Sequence, residues 1–256
     1  MDFPRTVLIG HEVMEQVADV CRSLQFGNNG ALITGPETYK AAGNKVEDVM
    51  SEKYDMLTVF TGNATRANLD DVEEAVKEHK ASFLLAVGGG SKIDIAKVVA
   101  KDMGIPFVSI PTSVSHDGIA SDRASLKHSK GSRSVSAVSP TGIIADTKVI
   151  IDAPFRYLAA GCADVISNLT ALGDWNFANR IAGEVISSSA YAISKYAAED
   201  IIFNSKLIKP GLEESAWVVM RPIIASGVSM CIAGSSRPTS GSEHMFSHAL
   251  DIIRPD

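Results

Sequence analysis

Short apolar runs alternate with amphipathic stretches through the first half of the chain, the pattern of a parallel sheet covered by helices. Five strands are predicted, at Thr6 to Gly10, Ala31 to Gly35, Met56 to Phe60, Phe83 to Val87 and Phe107 to Ile110. Helical stretches are expected from Glu12 to about Leu24, from about Glu37 to Met50, and over Leu69 to Val76. The acids of Leu69-Asp70-Asp71-Val72-Glu73-Glu74 are expected in a first turn, where the helix dipole favours negative charge.

After Pro111 the texture becomes rich in serine and lysine. Arg123 to Leu126 and Ser132 to Val138 flank Ser129-Lys130-Gly131, a candidate hairpin turn. From Pro154 onward strand signals stop, and long helical patterns take over, including Glu184 to Phe203 and Glu213 to Ala233. The expectation is an α/β nucleotide-binding domain over 1–152, a Rossmann-like parallel sheet with a β-hairpin appendage. An all-α domain over 153–256 follows, incomplete at its C-terminus.

Charge and cysteine usage narrow the function. The net charge is −6 and no Lys/Arg run occurs, which argues against a broad grip on nucleic acid. Cys21, Cys162 and Cys231 are widely separated and in no CxxC spacing, so free thiols are expected rather than disulfides or a thiolate zinc site. No signal-peptide pattern opens the chain, and no run approaches about 18 uninterrupted apolar residues, so a cytoplasmic protein that does not span a membrane is expected. Oligomeric state stays open, a homo-oligomer included.

Gly88-Gly89-Gly90-Ser91 follows an apolar strand and opens a helix containing Asp94 and Lys97. Its backbone N–H groups can approach a pyrophosphate without interference from Cβ atoms. A tight turn that needs glycine for geometry alone is the competing explanation. Past the second strand, Glu37 is the first acid, so NADP is as admissible as NAD. Thr112, Ser115 and Asp117 follow the fifth strand, where they can face a crevice or merely cap a turn.

Near the other end, His244 and His248 lie four residues apart and share one helical face. Such a pair is often only structural, and a metal needs further ligands. Asp164 is a candidate, because it interrupts the small and apolar stretch Ala159-Ala160-Gly161-Cys162-Ala163-Asp164-Val165-Ile166. A buried carboxylate calls for a cation or strong donors, which zinc or backbone N–H groups could supply.

Together, the glycine loop with Asp94 and Lys97, Pro111-Thr112 with Ser115 and Asp117, Gly161 with Asp164, and the His244/His248 helix resemble the iron-containing alcohol dehydrogenase and dehydroquinate synthase superfamily. Within it, Ser115 to Ser121, Gly161 to Asn168 and Ser236 to His244 resemble the archaeal glycerol-1-phosphate dehydrogenases. The resemblance implies a dehydroquinate synthase-like fold and reduction of dihydroxyacetone phosphate to sn-glycerol 1-phosphate by NADH or NADPH, a step of archaeal membrane lipid synthesis.

It also implies roles by position. Asp164 and His244 would be zinc ligands; Gly88, Gly89, Gly90, Ser91, Asp94, Thr112, Ser115 and Ser121 would bind the cofactor. Asp117 and His248 would lie at substrate, with His248 a proton relay. Asn168, Arg237, Lys206 and the Ser235/Ser236 pair are candidate holders of the substrate, and of its phosphate. The family's third zinc ligand, a histidine in a later His-Gly segment, has no counterpart before Asp256, so weak zinc binding and weak turnover are expected. Glycerol dehydrogenase, a dehydroquinate synthase-like lyase and an inactive nucleotide-binding fragment are the alternatives.

Overall fold

The computed structural model describes residues 3–128 and 131–253. Strands β1 (Thr6–Gly10), β2 (Asn29–Thr34), β3 (Asp55–Phe60), β4 (Phe83–Gly88) and β5 (Phe107–Pro111) appear where the apolar runs place them. A hairpin of β6 (Arg123–His128) and β7 (Gly131–Ser136) follows, and then β8 (Gly142–Asp146). The large sheet has six strands in the order β1-β8-β5-β4-β2-β3, and every pairing is parallel. β8 was not expected: Gly142-Ile143-Ile144-Ala145-Asp146 is a fully buried strand wedged between β1 and β5. The hairpin pairs antiparallel, from Arg123↔Ser136 to His128↔Gly131; Ser129 and Lys130 of its expected turn lie outside the described residues.

Successive strand residues point to opposite faces, and each face builds its own core. Leu32, Phe83, Leu85, Val87, Val108 and Ile144 pack against helices α1 (Val17–Ser23) and α3 (Asn44–Ser51), which flank the short turn α2 (Pro36–Thr38). Ala31, Ile33, Leu84, Ala86, Phe107 and Ile143 pack against α4 (Arg66–Glu78) and α5 (Gly90–Met103). Burying a side chain the size of Phe107 or Ile33 contributes about 1.5–3 kcal/mol. Helix α4 begins earlier than expected, because the Thr65 hydroxyl accepts the Asn68 N–H and caps it. Asp70 and Asp71 therefore fall beyond the first turn.

Helix α6 (Thr147–Asp152) leads into α7 (Phe155–Ala182), α8 (Ser188–Phe203), α9 (Glu213–Ala233) and α10 (Ser242–Ile253). Val165, Ala197, Val219 and Ile223 of these helices join the α4/α5 face core, so helices and sheet share one apolar cluster. Among the described residues, α9 alone is long and apolar enough to cross a membrane, and 56% of its apolar window is buried inside the protein. It is the core helix of the helical half. All three cysteines are free, and burial pushes Cys21 up to about 12 and Cys162 and Cys231 up to about 11.

Candidate active site

The carboxyl ends of β2, β4 and β5 open on a cleft of about 660 Å³, the usual location of a ligand in an open α/β sheet. Glu37 and Thr38 line it after β2, Gly89, Gly90 and Ser91 after β4, and Thr112 and Ser115 after β5. Gly88 closes β4, its carbonyl accepting the Thr112 N–H at 3.1 Å, and stays behind the lining. Helix α5 points its N-terminus into this cleft, where free N–H groups and the helix dipole favour an anion. Glu37 is ion-paired with Lys40 at 3.1 Å.

A second cavity of about 460 Å³ adjoins the first through Gly90 and Ser91. Here the structure gathers Asp94, Asp117, Ser121, Asp164, His244 and His248. Asp117 opens a 3₁₀ turn, and its main-chain N–H donates to Asp164 Oδ2 at 2.9 Å. The other oxygen of Asp164 lies 4.0 Å from His244 Nε2. Nδ1 of that ring is 2.8 Å from Glu243 Oε1. A neutral imidazole donating from Nδ1 presents its Nε2 lone pair toward Asp164, the orientation a metal-binding histidine takes when a carboxylate holds its far nitrogen.

Electrostatics support a cation at this point. Burial holds the Asp164 carboxyl well above the usual carboxylate range, and the nearby Asp117 and Glu243 charges add to the effect. The Asp117 N–H opposes it. Asp164 is thus a carboxylate short of positive charge, with an imidazole turned toward it. No group of three or more His, Cys, Asp and Glu able to hold a metal occurs among the described residues, so Asp164 and His244 stand as a pair. His248 brings a buried Nδ1 that has no hydrogen-bond partner.

The Asp117 loop is held from three helices. From α9, Ser226 Oγ donates to Asp117 Oδ2 at 2.7 Å, and from α7, Asn168 Nδ2 donates to Ser226 Oγ at 2.8 Å. Close approach requires glycine on both helices: a Cβ at Gly227 would stand 2.5 Å from the Asp117 carbonyl, and one at Gly161 would stand 2.5 Å from that of Val114. From α5, the fully buried Lys97 Nζ donates to the Gly118 carbonyl, to Ser121 Oγ at 3.2 Å and to the Arg123 carbonyl at 2.5 Å. Asp94 sits 3.6 Å from that ammonium and accepts the Ser125 N–H at 3.0 Å.

Residues 8–154 match the iron-containing alcohol dehydrogenase family. The chain belongs to that family. It is 49% identical, over 255 residues and 100% of its length, to the glycerol-1-phosphate dehydrogenase [NAD(P)+] of Picrophilus torridus, and covers 73% of that protein. The enzyme of the same name from Methanoregula boonei is 49% identical over 256 residues, of which this chain covers 71%. Among solved structures, a probable glycerol dehydrogenase from Sinorhizobium meliloti 1021 superposes with a TM-score of 0.84 at 18% identity, covering 99% of this chain and 71% of that one. Sulfoacetaldehyde reductase from Bifidobacterium kashiwanohense, solved with NAD+, gives 0.78 at 18% identity, covering 98% and 70%. At such identities these structures establish the fold alone.

Within this family member the candidate residues divide. Gly89, Gly90, Ser91, Thr112 and Ser115 line the first cavity, and Asp94, Asp117, Ser121, Asp164, His244 and His248 line the second. Asn168, expected at substrate, is fully buried behind Ser226 and reaches the cavity only through it. Arg237 is also displaced: its guanidinium grips Glu184 through two bonds of 2.7 and 2.6 Å and lines a neighbouring groove. Lys206 lies on an exposed 3₁₀ turn outside both cavities. Ser226, Glu243 and the anchoring role of Lys97 escaped the sequence, although a lysine three residues after an aspartate on a helix, Asp94 and Lys97, was a visible pairing signal.

Proposed function

We propose that this chain is a glycerol-1-phosphate dehydrogenase, reducing dihydroxyacetone phosphate to sn-glycerol 1-phosphate with NADH or NADPH. The observation that carries the reading is 49% identity over the whole chain to curated enzymes of that name. The convergence of Asp164 and His244 beside the nucleotide cleft supports it. The proposal includes two domains, 1–152 for the cofactor and 153–256 for metal and substrate, and a cytoplasmic setting.

Asp164 and His244 would hold a divalent ion; one carboxylate and one imidazole suit Zn2+. When bound, the nicotinamide supplies hydride and the ion polarises the ketone as a Lewis acid. The chain does the rest. N–H groups at Gly89 to Ser91 hold the pyrophosphate at the α5 N-terminus, with Thr112 and Ser115 alongside. Asp94 and Ser121, on the wall of the second cavity, would border the cofactor beyond the Gly90–Ser91 junction. Asp117, fixed by Ser226, orients substrate hydroxyls. His248, which lines the same cavity, would relay the proton delivered to the product oxygen.

The test is NADH and NADPH oxidation by metal-analysed protein, given dihydroxyacetone phosphate or dihydroxyacetone. The proposal expects the phosphorylated ketone to be strongly preferred and an Asp164→Ala change to abolish turnover. Equal use of both ketones would indicate a glycerol dehydrogenase, the activity attributed to the Sinorhizobium structure. Oxidation with neither would defeat the assignment, and cofactor binding without zinc binding would leave a nucleotide-binding fragment. A lyase of the dehydroquinate synthase type would show no net NADH consumption.

A further inference from the structure

With Arg237, Lys206 and Asn168 displaced, Ser236 is the expected phosphate holder that still lines the second cavity, and the β6–β7 hairpin supplies the cations it lacks. Alternation on β6 turns Ala124 and Leu126 into the core and Arg123, Ser125 and Lys127 to the other side. Register places Ser134 opposite Ser125 and Ser132 opposite Lys127, on that same side. All five residues line the cavity that holds Asp164, His244 and His248, and Arg123 and Lys127 are the Lys/Arg residues among its described lining.

Lys127 is uncommitted, and Arg123 is committed only in part. Among the described residues, Lys127 Nζ has no hydrogen bond or ion pair, and only its main-chain N–H is engaged, with the Ala64 carbonyl at 2.7 Å. The Arg123 Nη2 donates to the Gly234 carbonyl at 3.2 Å. Its Nε is buried without a hydrogen-bond partner, 3.7 Å from Asp122 Oδ1. Asp117, Asp164 and the two imidazoles gather at the end made by the Asp117 loop, α7 and α10, while two cations and three hydroxyls occupy the hairpin, where Asp94 accepts the Ser125 N–H and Asp122 lies beside Arg123. Guanidinium, ammonium and hydroxyl donors together suit a phosphate monoester, and Arg adds directional donors that Lys lacks.

The geometry points to the hairpin face of Arg123, Ser125, Lys127, Ser132 and Ser134 as the phosphate subsite that lets this chain prefer a phosphorylated triose over the free polyol. This rests on the reading of the substrate given above. A cofactor phosphate shares the same chemistry, but the N-terminus of α5 already offers it a place in the first cavity.

The experiment is calorimetric titration of sn-glycerol 1-phosphate and of glycerol into zinc-loaded, NADH-saturated protein; with reduced cofactor and reduced ligand, no turnover intervenes. Lys127→Gln and Arg123→Gln are compared with wild type, and NADH affinity is measured separately on each. Wild type is expected to bind the phosphate ester at least about tenfold more tightly than glycerol, the scale of one charge-assisted bond. Each variant is expected to lose most of that preference while holding NADH as before. Preference retained in both variants overturns the subsite and leaves the substrate reading intact. Unchanged preference with weakened NADH binding assigns the hairpin to the cofactor and also overturns it. No preference in wild type defeats the substrate reading itself. Lys127 is exposed, so its variant decides the matter even where Arg123→Gln fails to fold.

Discussion

The main-chain N–H of Asp117 donates to Asp164 Oδ2 at 2.9 Å, leaving Oδ1 on the side of His244. One partner cannot offset the burial, and the Asp164 pKa stays raised. The folded state then binds a proton that the unfolded chain releases above its ordinary value of 3.8. By linkage, stability falls as pH rises from there toward the folded-state pKa. Asp164→Asn is accordingly expected to raise the melting temperature of chelator-treated protein near neutral pH. Zn2+ is expected to stabilise wild type, by about 2.7 kcal/mol at a hundredfold excess over Kd, and to leave the variant unmoved. Thermal melts with and without Zn2+ check both points; a variant less stable than wild type in chelator would contradict the first.

Ser226→Ala removes the donor that orients Asp117 and strands the Asn168 amide. A hydrogen bond to a charged group is worth about 1.5–3 kcal/mol, so turnover with dihydroxyacetone phosphate is expected to fall roughly tenfold or more, with NADH affinity preserved. Steady-state rates alongside NADH fluorescence titration make the comparison. Unchanged kcat and KM would show that Asp117 does not need this support.

Lys97→Met leaves the buried Asp94 without its counter-charge. Breaking a buried pair in this way typically costs about 3–5 kcal/mol. Urea unfolding should show such a loss, and adding Asp94→Asn should restore part of it, because the two positions act on each other. Strict additivity would argue against coupling.

His11 Nδ1 lies 2.8 Å from Glu213 Oε1, linking the residue after β1 to the start of α9. The bond to Glu213 raises the His11 pKa above 6.5, so its stabilisation is complete below 6.5 and fades as pH rises through the folded value. Glu213 is lowered first by the Thr147 hydroxyl and then by His11; its contribution is present above 4.5 and fades as pH falls through the folded value. A His11→Ala variant should therefore lose most melting temperature, relative to wild type, between 4.5 and 6.5 and little at pH 9. A pH-independent difference would rule out the ion pair as its source.

Local pattern carried most of the sheet and α9, because strand alternation and helical period are properties of neighbours in sequence. β8 was missed because a five-residue apolar run, buried on both faces, has no period to read, and its partners β1 and β5 lie far away in sequence. The candidate site was legible where one residue broke its surroundings: a carboxylate among small apolar residues at Asp164, a histidine pair on α10. It was illegible where the role depends on tertiary contact. Ser226 sits in an apolar helix and gives no sign of facing Asp117, and nothing near Arg237 announces Glu184, 53 residues away.

The loop bearing Asp117 follows a strand of the nucleotide sheet, yet its anchors come from α5, α7 and α9. One segment therefore lines the second cavity at Ser121 and touches Asp164, the carboxylate proposed to bind metal, at Asp117. On the proposed assignment, a shift that one ligand imposed on that segment would reach the other. Thermodynamic reciprocity then requires that any factor by which bound cofactor tightens metal affinity equal the factor by which metal tightens cofactor. On the proposed site assignment, the two loading steps would form a single cooperative equilibrium carried by the five residues from Asp117 to Ser121.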